Sequence, residues 1–155
     1  MNFRDSLNAG LVAAKKARNN KDEIKSVLAD LNDEINEFSN GSVSLKVTSE
    51  TRLADNHNPL STAGLLSSRT PFIQYYALAL VQNKESNYLK RVIADWHQHE
   101  ADGYPCTISY NKQQITCRSK EPLIKALNDL MAYALTGEYL LELMETDDYN
   151  HLRNP

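Results

Sequence analysis

The stretch from Gly103 to Leu135 constrains the fold most, because it has the pattern of a tight β-hairpin followed by an amphipathic helix. A two-residue turn at positions 111–112 puts Cys106 opposite Cys117 on an apolar face, since side chains alternate along a strand. The other face carries small polar side chains, namely Thr107, Ser109, Gln114 and Thr116. One apolar and one polar face predict an antiparallel pair that is buried on one side.

The segment after the hairpin has the signals of a helix that covers this sheet. Ser119 is a plausible N-cap, and Pro122 lies within the first turn, where its missing N–H is tolerated. Apolar residues then recur at spacings of four and three, at Leu123, Leu127, Leu130 and Ala134. We therefore predict a helix over residues 120–135, a cap at Thr136-Gly137, and a short last helix from Glu138.

Residues 3–38 form the longest periodic segment, with apolar or small residues at an unbroken four-three spacing. The strongest part of this seam consists of Ile24, Leu28, Leu31, Ile35 and Phe38. A single helix of this length would measure about 54 Å and would invite a partner, most simply a second copy of the chain. The alternative is a helical hairpin, broken near residues 19–21, that packs on the chain's own sheet.

The middle of the chain supplies the remaining strands. Residues 43–49 alternate between apolar and polar side chains, as a half-buried strand does. Residues 72–82 and 88–97 fit either a helix or a strand, and we predict strands at 73–82 and 88–97 because the hairpin strands at 104–110 and 113–118 need a sheet to join. Residues 50–70 are rich in Asn, Ser, Thr, Gly and Pro, which predicts a long loop suited to recognition.

Together these elements predict one α+β domain spanning residues 1–155. A helical segment at 3–38 precedes an antiparallel sheet of about five strands within 43–118. Two helices within 119–145 pack on one face of the sheet, and residues 146–155 form a polar, frayed tail.

Composition limits the classes of function. The net charge of −3 provides no general attraction to nucleic acid or to an acidic membrane. No apolar run reaches the length of a membrane span, and the N-terminus lacks the order of a signal peptide, so we expect a cytoplasmic protein without a membrane partner. Two cysteines are too few for a disulfide scaffold, and we interpret them as buried thiols.

The densest polar cluster lies between residues 96 and 102. His97 and His99 share one side of a strand at a spacing of two, and Glu100 follows directly. Imidazole and carboxylate groups are common metal ligands, so these three residues are the candidate metal site. The alternative is a solvated turn between two strands, where such residues are also common.

A local cluster of cations is the one hint of nucleic-acid binding. It consists of Lys15, Lys16, Arg18 and Lys21 on the N-terminal helical segment. Cations on a helix can contact phosphates, but the overall charge is negative, so we expect no general nucleic-acid partner. The alternative is a solubilising face.

The sequence therefore favours a non-catalytic protein–protein interaction module, an adaptor or an inhibitor of a larger partner, that forms a homodimer through residues 22–38. A metal-assisted hydrolase that uses His97, His99 and Glu100 is the first alternative. A nucleic-acid-binding accessory protein that uses the basic helix is the second. We expect no cofactor, and the protein partner is not identified by the sequence.

Overall fold

The computed structural model of the chain describes the backbone of residues 2–54, 71–85 and 88–153, and the side chains of these residues up to 146. In this part of the chain the elements are, in order, α1 (Phe3–Phe38), β1 (Val43–Leu53), β2 (Phe72–Gln82), β3 (Lys90–His99), β4 (Gly103–Tyr110), β5 (Gln113–Cys117), α2 (Lys120–Met131) and α3 (Ala134–Arg153). The α+β prediction is confirmed.

The five strands form an antiparallel meander in the order β1-β2-β3-β4-β5. The predicted hairpin register is confirmed, with Cys106 opposite Cys117 and residue 108 opposite residue 115. Asn111 and Lys112 have φ values of 51° and 58°, in the left-handed region that a two-residue hairpin turn requires. The turn type therefore fixes which face of the hairpin is apolar.

The core lies between one face of the sheet and the three helices. Its fully buried side chains come from every layer, and include Ile24, Val43, Leu78, Leu80, Cys106, Ile108, Cys117, Leu123, Leu130 and Leu143. In β2, the five consecutive residues 77–81 are all buried. Burial on both faces explains why this strand has a continuous apolar run instead of an alternating pattern.

α1 is one continuous helix, so the helical-hairpin alternative does not apply. The polar residues at 19–21 are where α1 meets the turn between β3 and β4. Asn20 Nδ2 donates a hydrogen bond to the Asp102 carbonyl at 3.2 Å. Gly103, at φ +82°, lies so close that an added Cβ would be 3.2 Å from Lys21 N and 3.3 Å from Ile24 Cδ1. The apparent interruption is therefore a packing contact.

The C-terminal half of α1 also completes the hydrogen bonding of the edge strand β1. Asn32 Oδ1 accepts a hydrogen bond from the Leu45 backbone N–H at 2.8 Å. The Ser39 hydroxyl, which is buried, accepts a hydrogen bond from the Val43 N–H at 3.0 Å. Residues 20–39 are thereby held to the sheet at both ends, and we call this part of α1, with its C-cap residue Ser39, the anchored half.

Three predicted boundaries differ from the structure. The helix break falls at residues 132–133, so Thr136-Gly137 lies inside α3 and is not a cap. The predicted tail continues α3 as helix up to Arg153, and the predicted loop at 50–70 begins later because Glu50–Leu53 still pair with β2. Residues 55–70 of that loop lie outside the described residues.

Contacts across the sheet account for these differences. Breaking the helix at residues 132–133 lets α3 turn back so that Leu143 enters the core and its carbonyl accepts a hydrogen bond from Gln82 Nε2 at 3.0 Å. Arg91 on β3 donates to both oxygens of Glu142, at 2.5 and 3.0 Å. The end of β1 is held on the outer face by the Glu50–Lys90 and Arg52–Asp95 ion pairs, at 2.6 and 2.7 Å.

The burial of α1 predicts that its two halves differ in what they contribute to stability. Ile24→Ala should lower the free energy of unfolding by about 2–5 kcal/mol, because it opens a cavity under the helix. Leu7→Ala, at a side chain that is 70% exposed, should change it by less than about 0.5 kcal/mol. Urea unfolding of both variants at low protein concentration measures the difference, and equal losses would contradict this division of α1.

Candidate interaction surface

The N-terminal part of α1 extends beyond the rest of the fold. Every side chain from residue 2 to residue 16 is exposed. We call residues 3–16 the arm; at 1.5 Å per residue it is about 21 Å long. Helical peptides of this length are marginal alone in water, so the arm is helical because it continues an anchored helix.

The arm carries a row of exposed apolar side chains. Phe3, Leu7 and Leu11 are 60–70% exposed and lie at spacings of four, on one side of the helix. Gly10 and Ala14 lie on the same side of the helix, and because their side chains are small they do not project beyond the three larger ones. We call Phe3, Leu7 and Leu11 the stripe. A contiguous exposed apolar surface of this kind is typical of an interaction site.

The predicted self-association seam is mostly inside the chain's own core. Ile24 and Ile35 are buried, with 1% and 6% exposure, and Leu28 and Leu31 are half-buried against the same core. Of the five predicted interface residues, only Phe38 is exposed, at 70%. The strongest part of the periodic pattern is therefore the part that the sheet covers, and the weaker N-terminal part is the part left exposed.

A shallow groove runs along the outer side of the C-terminal half of α1. It consists of two adjoining clefts of about 210 and 250 Å³ that share Leu31 and Glu34. Its apolar lining is Val27, Leu31, Ile35, Phe38, Leu80, Ile124, Leu127, Met131 and Leu140. We call this the α1–α2–α3 groove.

The groove also contains one unusual polar group. Thr136 is buried, with 3% exposure, and it lines the groove. Its Oγ1 has no hydrogen-bond partner among the described residues. An unpaired buried hydroxyl costs stability unless something satisfies it.

Charge is distributed unevenly along α1. Residues 3–21 hold five cations and one anion, a net charge of +4, whereas residues 22–38 hold six anions and one cation, a net charge of −5. Asp30 and Glu34 are exposed and line the groove, and Glu37, which is also exposed, follows three residues later on α1. Of the described residues that line it, Lys120 is the one cation. The arm itself, residues 3–16, has a net charge of +2, and Arg18 and Lys21 follow directly, so this end of α1 is basic and the α1 side of the groove is acidic.

The predicted nucleic-acid residues lie at the junction between the arm and the anchored half. Lys15, Lys16, Arg18 and Lys21 are all exposed, and within the described structure none of them forms an ion pair. At about 100° per residue they point to different sides of the helix, spread over more than half of its circumference. They surround α1 and do not form a single phosphate-facing row.

A separate cleft, of about 530 Å³, lies between residues 13–23 of α1, which include Ala13 and Lys16 of the arm, and the residues next to the ends of β4 and β5. Tyr104 donates a hydrogen bond to Glu23 there at 2.7 Å. Burial, followed by the hydrogen bond to Glu23, raises the pKa of the Tyr104 phenol well above its usual range. The phenol therefore stays protonated near neutral pH and serves as a donor that holds β4 to α1.

The structure does not bring the predicted metal residues together as a ligand set. Residue 97 pairs with Thr107 in the sheet, and His99 Nδ1 accepts a hydrogen bond from the Asp102 backbone N–H at 3.0 Å. Across the residues that are described, no group of three or more His, Cys, Asp or Glu side chains could hold a metal ion. The metal-site hypothesis at His97, His99 and Glu100 gains no support from this geometry.

Both cysteines are buried free thiols, as the hairpin register predicted. Burial, followed by the charge of Cys117, raises the pKa of the Cys106 thiol to about 12. Burial also raises the pKa of Cys117. A nucleophilic cysteine needs a lowered pKa, so this environment keeps both thiols in their unreactive form.

Comparisons with known protein families, with curated proteins and with solved structures found no match. In the described part of the chain, no helix has both the length and the apolar character needed to cross a membrane.

Sequence reasoning identified the periodic segment but not its division into two parts. The stripe has the same four-residue spacing as the rest of the seam, so nothing local marks it as exposed. The signal that could have located the division is the lower apolar content before residue 20, because the more apolar half of an amphipathic helix is the half that packs against the sheet. The groove was not visible, since it is formed by side chains from three separate helices.

The raised thiol pKa predicts a loss of stability in alkali. The unfolded Cys106 ionises near its ordinary pKa of about 8.5, whereas the folded thiol stays protonated until about pH 12. The free energy of unfolding should therefore be unaffected below pH 8 and fall by roughly 1 kcal/mol per pH unit between pH 8.5 and 10. Urea unfolding across this range measures it. Cys106→Ala should have a shallower slope, and an equal slope would assign the loss to other groups.

Proposed function

We propose that the chain is a non-catalytic protein-interaction module that self-associates through the arm of α1. The observation that carries this proposal is the stripe of Phe3, Leu7 and Leu11, which is exposed on a helix that extends past its own domain. Burying an apolar side chain of this size contributes about 1.5–3 kcal/mol. Three such side chains at helical spacing contribute about 4.5–9 kcal/mol, which is comparable to the cost of association, so a specific contact also needs a complementary surface on the partner.

The mechanism we propose is bridging or occlusion by a rigid helix. Because the arm is already helical, binding does not have to pay the entropy of ordering it. Such a helix can hold two copies of the domain at a fixed separation, or cover the surface of a larger partner as an adaptor or inhibitor does. The absence of a shared face among Lys15, Lys16, Arg18 and Lys21 gives the nucleic-acid alternative no comparable support.

The test of this proposal is the sedimentation behaviour of the full chain with a matched pair of variants. The wild type should associate at micromolar concentration. Leu11→Glu, in the stripe, should weaken association by about 100-fold, because it buries a charge in an apolar contact. Val12→Glu is the control, since Val12 is exposed to a similar degree (68%) but points to the other side of the helix.

Both substitutions are at exposed positions, so neither should change the unfolding midpoint measured by circular dichroism. A wild type that stays monomeric at millimolar concentration would rule out self-association. Equal effects of the two glutamates would show that the stripe is not the contact.

A further inference from the structure

The arm cannot fold back so that its stripe packs on the helix surface of its own α1. Arm and anchored half belong to one continuous helix that is tied to the sheet from Asn20 onward. A helix does not fold back on itself without a break, and α1 has none between Phe3 and Phe38. Among the described residues, the helix-binding surface that could receive the stripe is therefore one on another molecule.

Packing one arm against another arm is electrostatically unfavourable. Residues 3–21 carry a net charge of +4 in each copy, of which +2 lies in the arm itself. Pairing two such segments side by side would place cations within a Debye length of each other, about 8–10 Å at moderate salt. Asp5 is the only anion in this segment to offset them. The simplest coiled coil of two arms is thus opposed by the charge pattern.

The α1–α2–α3 groove offers the complementary surface. Its lining is apolar and includes the exposed side chains of Phe38 and Ile124. Asp30, Glu34 and Glu37 stand along its α1 side and form no ion pair within the described structure. The α1 residues that line it fall within 27–38 and extend over about 18 Å, which is close to the length of the arm.

We infer that the arm of one copy docks in the α1–α2–α3 groove of a second copy, with the stripe against the apolar lining and the basic residues beside the acidic ones. This inference rests on the proposed self-association and names the surface that receives the arm. It is a helix-in-groove contact, in which side chains at spacings of three and four fill an apolar channel.

The geometry of α1 decides the form of the assembly. At about 100° per residue, the centre of the stripe lies about 150° around the helix axis from Val27, Leu31 and Glu34 of the groove. A two-fold antiparallel pair of α1 helices would need both surfaces on the same side. The contact is therefore head-to-tail, and repeated docking adds further copies or closes a ring.

Two complementary variants test this contact in the full-length chain. The arm variant, Leu7→Glu with Leu11→Glu, keeps its groove, and the groove variant, Phe38→Glu with Ile124→Glu, keeps its arm. All four positions are at least 38% exposed, so both variants should fold, which circular dichroism checks. If the groove variant does not fold, Asp30→Lys with Glu34→Lys replaces it.

Sedimentation should show each variant alone as a monomer and the wild type as oligomers larger than a dimer. An equimolar mixture of the two variants should form a 1:1 heterodimer that does not grow, because only one arm and one groove remain intact. Leu135→Glu with Leu141→Glu, exposed on α3 outside the groove, is the control and should assemble as the wild type does.

The opposite results separate the two hypotheses. A groove variant that still self-associates, or a mixture that stays monomeric, would overturn docking in the groove and leave self-association through the arm intact. A wild type that is monomeric would overturn both.

The salt dependence of association is an independent test, because docking in the groove and contact between two arms should respond to salt in opposite directions. Arm-to-groove docking should weaken by about 10-fold or more between 50 and 500 mM NaCl, as screening removes the attraction. Contact between two arms should strengthen over the same range and would contradict the inference.

Discussion

The packing of residues 20–39, the anchored half of α1 with its C-cap residue Ser39, across the sheet is the interaction on which the rest of the structure depends. Ile24, Val27 and Ile35 close the core from above, and Asn32 and Ser39 satisfy backbone groups of the edge strand β1. One face of a five-stranded sheet is too large for α2 and α3 to cover alone. The anchored half of α1 thus closes the core and also supports the arm, which precedes it in the same helix.

The same helix shows how one amphipathic pattern serves two purposes. In the anchored half, the apolar side chains are withdrawn from water by the chain's own sheet. In the arm the pattern continues with its side chains exposed in the part of the chain that is described, and the charge changes sign at about residue 21. The two ends of α1 therefore have opposite charge. The basic N-terminal end is complementary to the acidic residues that the C-terminal end contributes to the groove.

Much of the fold followed from local physical chemistry. The hairpin was predictable because its turn fixes the register, and the register fixes which side chains meet, as Cys106 and Cys117 do. The strand β2 was ambiguous, since burial on both faces removes the alternation that identifies a strand. The end of α2 was predicted too late in the chain. The break at residues 132–133 lets Leu143 of α3 enter the core, and the residues near 132 contain no local signal of a contact that distant in sequence. The groove depends on three helices at once, which no single stretch encodes.

The continuity of α1 explains why the arm is helical at all. A segment as short as the arm nucleates poorly by itself, because the first helical turn fixes several residues for one hydrogen bond. Here residues 20–39 are bonded to the sheet and to the turn before Gly103, and they give the arm a fixed helix to continue. The helical form of the stripe therefore depends on the folded domain. An arm separated from the domain should lose much of its helix, and with it the alignment of Phe3, Leu7 and Leu11 on one side.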